Sequence, residues 1–163
     1  MKINFGPRGT LQIDDARIIF RNFAGNATQF NRAGDRNFAV VIDDMEIANA
    51  LEDEGWNVRK KPGRDDEEMP RMHLPVKVKF NDRGPAVYLK TGDTINKLDE
   101  ESVACLDHID IAGVDLDIRP YDWDVQGKQG RTAYLQAIHV TQAVDRFAHR
   151  YRSEDEDAES APW

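Results

Sequence analysis

Leu74-Pro75-Val76-Lys77-Val78-Lys79-Phe80 places an apolar side chain at every second position, the signature of a strand with one buried and one wet face. Leu74, Val76, Val78 and Phe80 face inward on this reading, and Lys77 and Lys79 face solvent. Asn81-Asp82-Arg83-Gly84-Pro85 then has the chemistry of a tight turn, and residues 86–90 resume the alternation, with Val87 and Leu89 inward and Tyr88 and Lys90 outward. Pairing the two strands as a hairpin sets Tyr88 and Lys90 beside the two lysines.

Strand signals extend in both directions. Residues 16–23 are rich in β-formers, and residues 37–43 contain Phe38-Ala39-Val40-Val41-Ile42. The loop between them carries Gly25, Asn26, Asn31 and Gly34. Asp43 can cap a short helix to about Glu54, with Ile47 and Leu51 on one face, and Gly55 supplies its stop. Residues 56–61 read as a strand and residues 62–73 as an acidic loop. A second helix is expected at about 100–108 behind Asp99. Two long strands follow, 114–125 and 132–143, the first interrupted by Pro120 in a way that marks a bulge or an edge. This order suits a mainly β fold: a five-stranded Greek-key barrel of the oligonucleotide-binding type, with one or two short helices. The expected division is a barrel domain over 1–152 and a tail over 153–163. The edge strands leave pairing into a homodimer open.

The 163 residues are 40% hydrophobic and 32% charged, which suits one globular domain. No apolar run reaches the length of a membrane span and no leader segment is read at residues 1–10, so a cytoplasmic protein is expected. The single cysteine, Cys105, excludes an internal disulfide and falls in an apolar pattern that suggests a buried thiol. Four scattered histidines and one cysteine provide no zinc spacing, and no cofactor is expected.

The net charge of −8, taken as a total, opposes nucleic-acid binding, but its distribution does not. Glu154, Asp155, Glu156, Asp157 and Glu159 concentrate −5 in the last eleven residues. Residues 17–36 carry +3, 57–90 carry +4 and 126–152 carry +4, while 37–56 and 91–125 carry −6 and −8.

Residues 153–163, Ser-Glu-Asp-Glu-Asp-Ala-Glu-Ser-Ala-Pro-Trp, cannot build a core and are expected to be disordered. An indole at the tip of an acidic run has the makings of a docking peptide: the ring enters an apolar pocket while the acids meet cations around it. Here the chain resembles phage-type single-stranded-DNA-binding proteins, whose acidic C-termini end in an aromatic residue that recruits replication and recombination enzymes. The acids from Glu154 to Glu159, Pro162 and Trp163 carry the likeness; Asp155, Asp157, Pro162 and Trp163 are the candidate partner-binding residues. The pattern departs in ending on Trp rather than Phe, and in the Ser160-Ala161 spacer before Pro162. The resemblance implies a DNA-binding protein, not an enzyme, that protects single strands in the host cytoplasm during phage replication and recombination.

Such binding needs flat rings for bases and cations for phosphates. Lys77, Lys79, Tyr88 and Lys90 form the leading cluster. Arg17, Arg21 and Phe23 share a face of residues 16–23 with Ile19, opposite Ile18 and Phe20, and the following loop adds Phe30, Arg32 and Arg36. Phe30 reads equally as an anchor for that loop. Trp56 leads into Arg59 and Lys61 as a platform, or equally as core. Tyr121 and Trp123 lie among Asp117, Asp122 and Asp124, which would repel phosphates, and read as core or partner-facing. Phe5, Phe38, Phe80, Tyr134 and Phe147 read as packing residues. Two other classes remain. Asp110, Asp115 and Asp117, near His108, resemble a nuclease's metal-binding carboxylates but also the wet face of an ordinary strand. The acidic stretches would also serve an inhibitor that mimics DNA.

Overall fold

The computed structural model describes residues 1–65, 68 and 70–144. Ten strands form one bent sheet: β1 (Lys2–Phe5), β2 (Leu11–Ala16), β3 (Ile18–Asn22), β4 (Arg36–Ile42), β5 (Arg59–Lys61), β6 (Arg71–Val78), β7 (Ala86–Thr91), β8 (Thr94–Leu98), β9 (Ile111–Val125) and β10 (Lys128–Gln142). Helix α1 (Met45–Asp53) follows β4, and a short 3-10 turn (Val103–Asp107) precedes β9. The mainly β architecture with short helices is as expected. Ten strands stand where a five-stranded barrel was expected: β1, β2 and β8 are short segments that the sequence reading did not pick out, and β5 occupies only the second half of the strand read over 56–61.

The main strand order is β1-β2-β9-β10-β6-β4-β3. β9 and β10 pair antiparallel from Lys128↔Val125 to Gln142↔Ile111, joined by the two residues Gln126 and Gly127 at φ 52 and 80, the conformation of a tight twisted hairpin turn. Pro120 lies two residues beyond Ile118, where the β2 pairing ends at Leu11, so it occupies the free edge that a missing N–H tolerates.

The 74–80 and 86–90 strands do not form a hairpin with one another. β6 and β7 both run parallel to β10, end to end along one edge: Lys77 lies beside Tyr134, and Ala86–Lys90 beside Ala137–Thr141. The turn expected between them exists, with an Asn81↔Gly84 bridge and the Arg83 N–H donating to Asn81 Oδ1 at 2.9 Å. It redirects the chain along β10 instead of folding it back.

One core gathers the inward residues of all the main strands with Ala48 and Leu51 of α1. Asp44, one residue later than expected, caps α1 by accepting from the Glu46 N–H at 2.8 Å. Asp99 accepts from the N–H groups of Glu101 and Ser102 as a cap would, but the turn after it tightens to 3-10. Cys105 is exposed rather than buried; partial desolvation and then the Asp107 carboxylate raise its thiol pKa, so it remains protonated. At the centre, Phe23 and Phe38 stack with centroids 5.1 Å apart, both essentially inaccessible. Phe38→Ala should therefore cost about 3–5 kcal/mol in a urea titration, as a large ring removed from a closed core does.

Candidate nucleic-acid interface

The outward residues of β3, β4, β5, β6 and β10 line up in rows across the sheet. One row joins Asn37, Lys77 and Tyr134; the next joins Ile19, Ala39 and Pro75. A third joins Val41, His73 and Arg59, extended by Arg17, whose carbonyl accepts the Val41 N–H at 2.8 Å. Lys61 and Arg71 form the last. Exposed cations thus recur along the face: Lys61, Arg71, Arg59 and Arg17 towards one end, Lys77 and Lys79 towards the other.

At the Lys77 end the face deepens into a groove of about 810 Å³, walled by the loop between β3 and β4. Phe20, Phe30, Arg32, Lys77, Lys79, Phe80 and Tyr134 all line it. Phe30 is 92% exposed and Phe20 69%. Asp35 and Glu100 line it too, paired with Arg32 at 3.4 Å and Arg36 at 3.3 Å, which leaves Lys77 and Lys79 as its excess positive charge. Exposed rings scattered singly are ordinary, but two in one such groove are not.

Local structure holds both rings in place. Phe30 tips a turn closed by the Thr28↔Asn31 bridge, with its own N–H donating to Thr28 Oγ1 at 3.2 Å. Asn31 Nδ2 donates to the carbonyls of Asn26 and Asp35, both at 2.9 Å, tying the loop across its width. The loop is rooted where Asp107 accepts from the Phe23 and Ala24 N–H groups at 2.8 and 3.0 Å. Phe20 sits in a bulge of the β3–β4 pairing at φ 54, and its ring meets His73 edge-on at 5.5 Å. A left-handed backbone at a bulky residue costs about 1–2 kcal/mol, and a ring left in water forgoes roughly 1.5–3 kcal/mol of burial. Strain and exposure at one residue inside a groove point to a ring held for a ligand.

The other candidates separate. The bulge at Phe20 reverses the inside–outside parity of β3, so Phe23 is buried in the core and offers no face to a base. Trp56 is likewise buried, with the Arg131 guanidinium 5.2 Å over its ring. Arg21 is committed to the carbonyls of Leu106 and Ile109, at 2.7 and 2.8 Å. Arg36 lines the groove but is half-buried, paired with Glu100 at 3.3 Å and 5.8 Å from the Phe80 centroid. Tyr88 and Lys90 lie further along β10; Tyr88 faces His139 at 6.4 Å, and Asp115 sits opposite that histidine. Asp155, Asp157, Pro162, Trp163 and Phe147 lie outside the described residues.

Phe20 and Tyr134 belong to the groove although the sequence placed one on the opposite face and the other in the core. Phe5 is exposed rather than packed. Tyr121 and Trp123 are exposed on the β9–β10 arm; Tyr121 meets Tyr134 edge-on at 6.1 Å, and Trp123 lies flat on Gly130, where any Cβ would collide with the ring. Asp122, the acid between them, is bound by Arg131 at 2.7 Å. Asp115 accepts the Asp15 N–H at 2.9 Å, and among the described residues no three His, Cys, Asp or Glu side chains gather to hold a metal. No helix among them is long and apolar enough to cross a membrane.

A bent β-sheet carrying a groove of rings and cations defines a class of strand-accommodating proteins. The family described as "Putative phage ssDNA-binding domain" matches residues 2–160, and the chain belongs to it. Three structures of the single-stranded DNA-binding protein from bacteriophage Enc34 share the fold. The C-terminally truncated form superposes with a TM-score of 0.55 at 9% identity, covering 86% of this chain and 90% of that one. The complex with ssDNA gives 0.54 at 8% identity, covering 89% and 93%. A third structure of that protein gives 0.53 at 10% identity, covering 90% and 93%. No curated protein matches the chain by sequence.

Desolvation first, and the Arg59 charge second, lower the His73 pKa below 6.5. The unfolded chain then takes up a proton at a higher pH than the folded one does, so stability falls as pH drops through about 6.5 towards the lowered value. In His73→Gln, the urea midpoint should decline less steeply between about pH 7 and pH 5 than in the wild type.

Proposed function

We propose that the strand of DNA runs along the outer face of β4, β6 and β10, with bases stacked on Phe30 and Phe20 and phosphates following Lys77, Lys79 and Arg32. Arg17, Arg59 and Lys61 extend the cationic face, and Arg36 braces the groove wall. The observation that carries this is the groove itself: two exposed, conformationally held rings among lysines and arginines. Stacking and phosphate contacts without base-edge readout make the binding tolerant of sequence, which suits a protein that coats single strands during phage replication and recombination in the host cytoplasm. The ssDNA complex of the Enc34 protein supports the same use of the shared fold. The family is one of binding domains, and the non-catalytic reading accords with it.

Residues 1–152 are proposed as the DNA-binding domain and 153–163 as a recruiting tail, with Asp155, Asp157, Pro162 and Trp163 its docking residues. At the high local concentration that tethering provides, the acids of this tail compete for the groove. DNA displaces them and frees Trp163 for partner proteins.

Two measurements check these readings. Phe30→Ala should weaken binding of fluorescent oligo-dT by about 1–3 kcal/mol, roughly five- to 150-fold in Kd, with the urea midpoint unchanged. An unaltered affinity would remove Phe30 from the site. Deleting residues 153–163 should tighten oligo-dT binding at low salt, with the difference shrinking as salt screens the tail; equal affinities at low salt would dismiss the competition.

A further inference from the structure

Beyond Lys79 a second concavity of about 730 Å³ opens, which the first groove's rings do not reach. Arg8, Lys79, Arg83 and Arg119 line it with Pro85 and Pro120, and among the described residues no acidic one is in its walls. Among the described residues, none of these four cations forms an ion pair. Like charges collected around a hollow without a counter-charge repel one another, so the arrangement favours a polyanion.

The two hollows are joined. Lys79 lines both, and Arg119, in the second, lies 5.0 Å over the ring of Tyr134, in the first. The rim arginines come from closed turns. Arg8 stands at φ 60 in a loop whose ends are tied by the Gly6 N–H donating to the Thr10 carbonyl at 2.7 Å. A Cβ on the following Gly9 would lie 3.2 Å from the Pro120 ring, so that loop packs closely on β9. Arg83 belongs to the Asn81↔Gly84 turn. Such turns hold cations at fixed spacing with little ordering left to do on binding.

We infer that this second hollow is a phosphate track that continues the path of the same DNA strand past Lys79, with Arg8, Arg83 and Arg119 contacting phosphates and the prolines packing against sugars. The inference rests on the proposed reading of the first groove and deepens it. It requires that a long strand reach cations that a short one does not.

The test compares wild type, Arg8→Ala/Arg83→Ala, Arg8→Lys/Arg83→Lys and Phe30→Ala on oligo-dT of about 4 and about 16 nucleotides, the span of site sizes for oligonucleotide-binding folds, over a salt series. The double alanine variant should bind the long strand more weakly, with the slope of log K against log salt reduced by about 1.4, or 0.7 for each phosphate no longer neutralised. It should bind the short strand as the wild type does, and the lysine pair should restore the slope. An unchanged slope on the long strand, with Phe30→Ala still weakening both lengths, overturns the second track and leaves the first groove standing. Equal losses on both lengths also overturn it, since the arginines would then act as a general field. If Phe30→Ala changes neither length, the first groove's reading falls, and the inference with it.

Discussion

The pairing of β9 with β10 is the constraint on which the rest of the molecule hangs. Each strand is 15 residues long, β2 attaches to the far edge of β9, and β6 and β7 share the far edge of β10. The nine residue steps from Lys77 to Ala86 span only the three from Tyr134 to Ala137 on β10, so the chain between β6 and β7 is too long to run straight. The connection swings outward through Asn81–Gly84, and β10 itself carries a bulge between Leu135 and Ala137, where its edge passes from β6 to β7. That hand-over brings Lys79 and Arg83 to the rim. Strand order thus sets where the two grooves meet, and the β3–β4 loop and the loop at residues 6–10 supply their other walls.

Charge is segregated by the same architecture. Asp14 and Asp117 lie close together on the β2–β9 side, where desolvation first and then their mutual repulsion raise the Asp117 pKa. The lysines and arginines of β5 and β6 occupy another part of the sheet. An overall charge of −8 is compatible with a cationic face because most acids lie on other elements or among residues 153–163, and the two that line the first groove, Asp35 and Glu100, are paired with Arg32 and Arg36. On the β9–β10 arm, opposition of charge and ring is resolved within a single strand: Asp122 turns to Arg131, while Tyr121 approaches Tyr134.

The alternation of residues 74–80 made β6 and its wet lysine face legible, because a half-buried strand stamps its period directly on the chain. Turn chemistry likewise located the Asn81–Gly84 turn, and the reading of strands at 114–125 and 132–143 placed a connection over 126–131, which pairing from Lys128 onward shortens to Gln126 and Gly127. Partner choice was not legible. A tight turn between two strands implies a hairpin only if the chain folds back on itself, and here β10 competes for both edges. Parity was lost at Phe20, since nothing in Ile19-Phe20-Arg21 announces a left-handed phenylalanine; the bulge moved Phe23 inward and Phe20 outward. Trp56 was buried under Arg131, a residue of a distant strand, at a separation where local pattern carries no information. Phe30 was readable as an aromatic among glycines and asparagines, although only the Thr28↔Asn31 bridge shows it held at the surface.

The left-handed phenylalanine in β3 also sets grip against durability. Glycine at position 20 would occupy the same backbone torsion without the cost of about 1–2 kcal/mol, against roughly 0.5–1 kcal/mol of added chain entropy and the loss of the edge contact with His73, so resistance to unfolding gives the aromatic little advantage there. Stabilising consensus or thermal-selection schemes applied to this protein would have reason to replace this residue, and with it one of the two rings that the proposed reading stacks on bases.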